Sequence, residues 1–477
     1  MEIKLSLQEI RIAIREALPR EPSAEAADLR PGIVYFPPSH VKALQLESSL
    51  VVGGRGVGKT FWTWFLGNTA LRNGLAETRN TDVRIGHAVP EQPKLFPSKD
   101  TISKLLIEKF TAESIWTAVL VRWLATIVDE NIPMESWSET TQWVQNNPEQ
   151  VSHLLQQANI SLQKQGMRGL IVFDALDRTS DDWETMNNLV RGLLKMILRL
   201  KSYKFLFGKV FLREDQLTQT VINFPDASKL QMSRCDLIWE LHDLHGLLWK
   251  TLCNAPGYHG DILRELYREQ GASLEQVDGI YFISSDAQRQ TDLQKRLFHA
   301  LAGSKMGKGE RRGVPYLWTV GHLADSHQHT SPRSFLLAIQ RAADDSLERD
   351  PLYIFPLHYE SIKRGVQAAS GLRVDEITED YPWVKRLFAP LRGQFNVPVE
   401  FSCIEALWAQ AFPKGFGEHE KLPVEAKQDG WRGLLQQLQH LGVCSVKKDG
   451  RIDMPDLYRV AFSLGRKGGV KPVNRAY

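Results

Sequence analysis

Three apolar runs punctuate the first half of the chain: Leu50-Val51-Val52, Leu170-Ile171-Val172-Phe173, and Tyr203 to Leu212 (YKFLFGKVFL). Each reads as a strand, the second as one buried on both faces, because its apolar run is continuous rather than alternating. Around them apolar residues recur at helical spacing. Phe61 to Leu71 forms one such stretch. Ile115, Trp116, Val119, Leu120, Trp123, Leu124 and Ile127 form a second, whose tryptophans read as core. Met186, Leu189, Val190, Leu193, Ile197 and Leu200 form a third. Residues 80–110, with Pro90, Pro93 and Pro97, read as loop-rich, and Ile33 to His40 as an extended approach to the first strand. Residues 1–32 read as one helix and a loop. Strands alternating with helices predict an α/β core built on a parallel sheet, over residues 33–230.

From about 231 to 390 the pattern turns mostly helical and reads as a helical lid domain, with residues 237–252 strongly amphipathic. Residues 303–313 (GSKMGKGERRG) read as a basic glycine-rich loop, either solvated or touching a phosphate backbone. Ser331-Pro332 reads as a helix start with proline in the first turn. Residues 391–477 look like a separate unit. Ile404 to Phe412 and Trp431 to Leu441 read as helices. Val443 to Val446 and Arg451 to Met454 flank Lys447-Lys448-Asp449-Gly450, whose Asp-Gly pair is a hairpin signal. Helices followed by a hairpin with a basic tip suggest a winged helix. The tail LGRKGGVKPVNR adds four basic residues and no acid. Such a module can bind DNA through phosphate contacts and a helix in the major groove, or dock a protein; the sequence leaves both open.

The 477 residues suffice for two to four domains. A net charge of +3 argues neither for nor against nucleic acid. No apolar run is long enough for a transmembrane helix, and the charged amphipathic N-terminus lacks a signal peptide's apolar centre. Cys235, Cys253, Cys403 and Cys444 are scattered, as in a reduced, cytoplasmic protein. No membrane partner is expected.

The chemistry concentrates where the apolar runs end. Leu50-Val51-Val52 leads into Gly53-Gly54-Arg55-Gly56-Val57-Gly58-Lys59-Thr60, which matches G-x-x-x-x-G-K-[ST] at every fixed position. Glycines let backbone N–H groups curl around phosphate oxygens, and the following helix points its positive end at them. Lys59 can reach the β- and γ-phosphates, and Thr60 offers a hydroxyl to Mg²⁺. The second run ends in Asp174, a carboxylate at the C-terminal end of a buried strand, placed to hold Mg²⁺ beside Thr60. The third ends in Arg213, either a residue facing the γ-phosphate or a surface arginine. Arg333, in the first turn of its helix, either points back into a nucleotide cleft or is exposed. Tyr35 or Phe36 is either an adenine contact or a core aromatic.

Taken in order, these marks resemble the AAA+/STAND group of ATPases, in the branch that includes origin-recognition and KAP-type proteins. Gly53 to Thr60 looks like Walker A, Ile171-Val172-Phe173-Asp174 like Walker B, Arg213 like a sensor 1 position, and Pro332-Arg333 like the sensor 2 arginine. The resemblance spans roughly residues 33–477. Asp174-Ala175-Leu176-Asp177-Arg178 is similar to the DDLDR of KAP-type ATPases. More loosely, the chain is similar to bacterial P-loop ATPases encoded near phage-defence and mobile-element genes. The resemblance implies ATP and Mg²⁺ as ligands and a protein partner or homo-oligomer. One position departs from it: many AAA+ enzymes carry a glutamate after the Walker B aspartate, and here that residue is Ala175. Asp177 is the nearest carboxylate and either substitutes or caps the following helix.

Two functions follow as expectations. The first is a slowly hydrolysing ATP switch coupling nucleotide state to assembly or DNA engagement, with a phage-defence setting implied only by the loosest likeness. The second is a non-catalytic, nucleotide-bound DNA-binding regulator. A GTPase is disfavoured because no N/T-K-x-D motif follows the P-loop, and a small-molecule kinase because no acceptor-binding insertion is evident.

Overall fold

The P-loop strand sits inside a five-stranded, all-parallel sheet of order β2-β3-β4-β1-β5. The strands are β1 (Leu50–Val52), β2 (Thr81–His87), β3 (Arg168–Phe173), β4 (Leu206–Leu212) and β5 (Arg234–Asp236). The computed structural model describes residues 6–18, 34–88, 93–309, 312–416, 422 and 429–472. Parts of several sequence readings lie outside the described residues: 1–5, 19–33, Pro90, 310–311 and 473–477. The described residues fall into two compact units, one formed by Phe36–Ile238, the other by the N-terminal helix Leu7–Ala17, Val34, Tyr35 and the chain from Trp239 onward.

The first unit is the α/β core. Strands β1, β3 and β4 are almost wholly buried, as their apolar runs require. Helices Ala112–Val128 and Trp183–Leu200 carry the predicted stripes into one core. They pack so closely that a Cβ on Gly192 would lie 2.6 Å from Ala112 Cβ. The Trp116 indole donates to Leu189 O at 2.8 Å, which satisfies its polar edge inside that contact. Lys209, fully buried on β4, donates to Ala43 O (2.6 Å), Gln45 O (2.9 Å) and Ser48 O. It thereby fixes the turn that enters β1, and burial pulls its pKa down to about 7.

Three local readings are corrected. Residues 80–110 are not only loop: they contain the edge strand β2 and the helix Lys99–Ile107. Asp82, Arg84 and His87 interrupt the apolar pattern of β2, yet an edge strand tolerates polar positions. The approach to β1 is not extended throughout, since Pro38–Leu44 is helical with proline at its start. The stretch after 230 includes β5, three residues long and hence without a readable period.

The second unit is mainly helical and ends in helices Phe401–Ala411 and Gly430–His440, the hairpin of β8 (Ser445–Val446) and β9 (Ile452–Asp453), and helix Asp456–Arg459. It also holds the antiparallel hairpin of β6 (Leu274–Val277) and β7 (Ile280–Ile283). An antiparallel bridge between Val399 and Ile452 adds a third short segment to the β8–β9 wing. Gly450 at the wing tip has φ +85°, a conformation suited to glycine. The segments predicted as 231–390 and 391–477 therefore share one unit, and the first unit ends at Ile238 rather than 230. The N-terminal helix joins them through Arg11, whose buried guanidinium donates to the carbonyls of Pro351, Tyr353, Phe355 and Pro356. Such saturation offsets the cost of burying its charge.

Candidate nucleotide site

In a parallel sheet all strands end on the same edge, and loops there converge. Because β4 lies between β1 and β3, Arg213 leaves the sheet between the P-loop and Asp174. Gly56 and Gly58 have φ +78° and +106°, and Gly58 caps the helix Lys59–Gly67. A Cβ on Gly53 would come within 2.7 Å of Val57 Cγ2 and 3.2 Å of Leu237 Cβ, so glycine is required there on packing grounds as well.

Lys59 Nζ donates to Gly53 O (3.0 Å) and Gly54 O (2.7 Å), which holds the ammonium over the loop. Desolvation pulls its pKa down to about 8, against the opposing pull of Asp174; Arg213, Asp177 and Asp215 also act on it. These five groups therefore form one electrostatic cluster. Asp174 is 2% exposed, its Oδ2 is buried without a hydrogen-bond donor, and the Thr60 hydroxyl bonds to the same carboxylate. Burial raises the Asp174 pKa, with Thr60 and Lys59 working the other way. An orphaned buried carboxylate oxygen beside a hydroxyl suits a hard cation. Among the described residues no three His, Cys, Asp or Glu side chains group as a metal cage. Magnesium does not need one, because it is commonly held by one or two carboxylates together with substrate phosphates.

Two residues that the sequence did not single out complete the site. His87, at the end of β2, lies with Nδ1 2.9 Å from Asp174 O and receives the Asp174 N–H on its own carbonyl at 2.7 Å. A carbonyl only accepts, so Nδ1 carries the proton. The ring is buried against Phe96 and Trp116, which makes it a rigid brace for the Asp174 backbone. No signal pointed to His87, because β2 itself was not legible. Asp215 takes Arg213 in a two-pronged contact, Nε to Oδ1 at 3.0 Å and Nη2 to Oδ2 at 2.6 Å. Its spacing, two residues beyond Arg213, was available in the sequence as a cue.

Asp177 is exposed and lies 3.4 Å from Arg213 Nη1. Between it and Asp174, Ala175 has φ +54°, a left-handed conformation costly for a residue with a Cβ. Ala175→Gly is therefore expected to stabilise the protein by up to about 1 kcal/mol. A urea melt checks this, and a lower midpoint would contradict it.

Of the remaining predicted residues, Tyr35 and Arg333 lie in the second unit. Tyr35 is buried, donates to Asp243 Oδ1 at 3.3 Å and stacks on Trp239, as a core aromatic does. Phe36, in the first unit, packs on Trp62 and Phe65 of the P-loop helix. Arg333 stands in the first turn of Pro332–Arg349, which Ser331 caps. Its Nη1 donates to Glu376 Oε1 at 2.6 Å; Glu376 also meets Arg373 (3.3 Å), which bonds the Tyr458 hydroxyl (3.0 Å). That chain of contacts links Arg333 to the Asp456–Arg459 helix behind the wing. On the wing, Lys447 pairs with Asp453 (3.2 Å) and Arg451 with Asp449 (2.7 Å), while Lys448, Lys467 and Lys471 are exposed.

No protein-family model matches the chain, and no curated protein matches it in sequence. Among solved structures it is similar to the Aeropyrum pernix ORC2 protein, solved in ADPNP–ADP complexes, at 10% identity and a TM-score of 0.41, over 90% of this chain and 94% of that one. It is also similar to the Aeropyrum pernix ORC1 protein, solved in complex with DNA, at 12% identity and a TM-score of 0.35, over 93% of each. Among the described residues no helix is long and apolar enough to cross a membrane.

Proposed function

We propose that this chain is an ATP-binding, slowly hydrolysing switch of the AAA+ type, whose nucleotide state governs engagement of DNA or a protein partner. The observation that carries the reading is the convergence of Lys59, Thr60, Asp174 and Arg213 on one sheet edge, with Asp174 Oδ2 buried and unsatisfied. In the proposed complex the backbone of Gly53 to Gly58 cradles the phosphates, and Lys59 exchanges its loop carbonyls for phosphate oxygens. Thr60 and Asp174 would hold Mg²⁺, which would neutralise phosphate charge. Arg213 contributes a second cation, and Asp177 orients water. Arg333 is proposed to report nucleotide through Glu376 and Arg373. A role in phage defence draws no support from the described residues.

DNA engagement is supported by the wing and by exposed Lys448, Lys467 and Lys471. The paired cations Lys447 and Arg451 moderate the tip's charge, so a modest, salt-sensitive affinity is expected. A second reading keeps the nucleotide and drops turnover. Ala175 favours it, because no carboxylate directly follows Asp174.

Asp177 separates the two. Asp177→Ala is expected to leave ATP affinity within a few-fold and lower phosphate release roughly 10²-fold. Steady-state hydrolysis, with and without DNA, checks this. Equal background rates for the wild type and Asp177→Ala would favour the non-catalytic regulator.

A further inference from the structure

Arg213 meets Asp215 and Asp177 on unequal terms. Asp215 takes Nε and Nη2 at 3.0 and 2.6 Å, whereas Asp177 Oδ2 stands 3.4 Å from Nη1. The first contact has full hydrogen-bond length on both prongs, and the second is long. The Arg213 and Asp215 side chains are 10% and 13% exposed, and that of Asp177 is 38% exposed. A guanidinium is planar, so fixing Nε and Nη2 also fixes the direction of Nη1. In addition, Gln216 Oε1 accepts from the Arg213 N–H at 2.9 Å, which anchors the backbone from which the side chain projects.

We infer that Asp215 is a positioning residue for the proposed ATPase: it holds Arg213 by one edge, so that Asp177 is not drawn into a full ion pair and Nη1 stays directed into the site. The inference rests on the hydrolytic reading above. Its physical basis is competition. Without the Asp215 carboxylate, the fork is free to turn toward Asp177, whose Oδ2 is already within 3.4 Å of Nη1. A carboxylate locked to arginine in two-pronged contact is a weaker base and less free to orient water. Asp215 thus limits the Arg213–Asp177 contact to one long prong at 3.4 Å.

The test is steady-state ATP hydrolysis and ATP binding by the full chain carrying the isosteric Asp215→Asn. The expected result is a kcat lowered roughly tenfold with KM within about threefold, and partial recovery in Asp215→Glu. In an Asp177→Asn background, Asp215→Asn should cause little further loss, since both act through the same guanidinium. A melting curve accompanies each variant; a general folding defect would impair ATP binding along with turnover. Unchanged kcat, a pure rise in KM, multiplicative losses in the double variant, or a wild type that binds ATP without turning it over would each overturn the inference. A wild type that binds no ATP would overturn the proposed function itself.

Discussion

Lys59→Ala is expected to lower ATP turnover by roughly 10²–10³-fold, the scale seen when one charge-stabilising donor is removed from an active site. It should weaken ATP binding at the same time, because the lysine contributes to the ground state as well as to the developing charge. Lys59 is held by two loop carbonyls, Gly53 O and Gly54 O, and desolvated enough to bring its pKa to about 8. A cation so prepared gains more from a phosphate than a solvated one would, since much of its hydration has already been lost. Phosphate release and equilibrium ATP binding measure the two effects. A variant retaining wild-type turnover would remove Lys59 from the site.

Asp174→Asn is expected to separate function from stability. Turnover should fall by roughly 10²-fold or more, because the carboxylate proposed to hold Mg²⁺ is gone. The ligand-free protein should nevertheless melt a few degrees higher, the effect of about 1 kcal/mol in a unit of this size. Burial raises the Asp174 pKa, which means that its charged form costs folding energy near neutrality. The sign follows from linkage: below about pH 4 the group is neutral in both folded and unfolded chains and the penalty vanishes, while above the folded pKa it is fully present. The gain in Asp174→Asn should therefore be largest near pH 7 and shrink toward pH 4. Calorimetric melting across that range decides, and a melting point lowered at pH 7 would indicate that Asp174 stabilises the fold.

The residues of this site were legible in the sequence where a strong local rule governs them. The Gly53–Thr60 run stands out because its glycines and lysine fall at the fixed spacing of the motif, and Asp174 because a carboxylate closes a continuous apolar run. The Pro332–Arg349 helix was legible from Ser331-Pro332 alone, and the wing from Asp449-Gly450. What escaped depends on tertiary neighbours. β2 carries polar residues because it lies at a sheet edge, and β5 is too short to show a period. His87 matters only because β2 pairs with β3 and so sets its ring against the Asp174 carbonyl. The pairing of Arg213 with Asp215 is a side-chain choice among several nearby carboxylates, which no periodicity encodes. Tyr35 illustrates the opposite case: an aromatic just ahead of the P-loop strand proves to be packed against Trp239 and Asp243 in the other unit.

The Gly53–Thr60 loop and Asp174 are proposed to bind a nucleoside triphosphate together with magnesium. Calorimetric titration of the full chain with a non-hydrolysable ATP analogue, with Mg²⁺ and then with EDTA, tests it most directly. The expected result is saturable binding that is tighter with Mg²⁺, loses that dependence in Asp174→Asn and is abolished or strongly weakened in Lys59→Ala. Absence of binding heat at millimolar analogue, or binding indifferent to both substitutions, would contradict it.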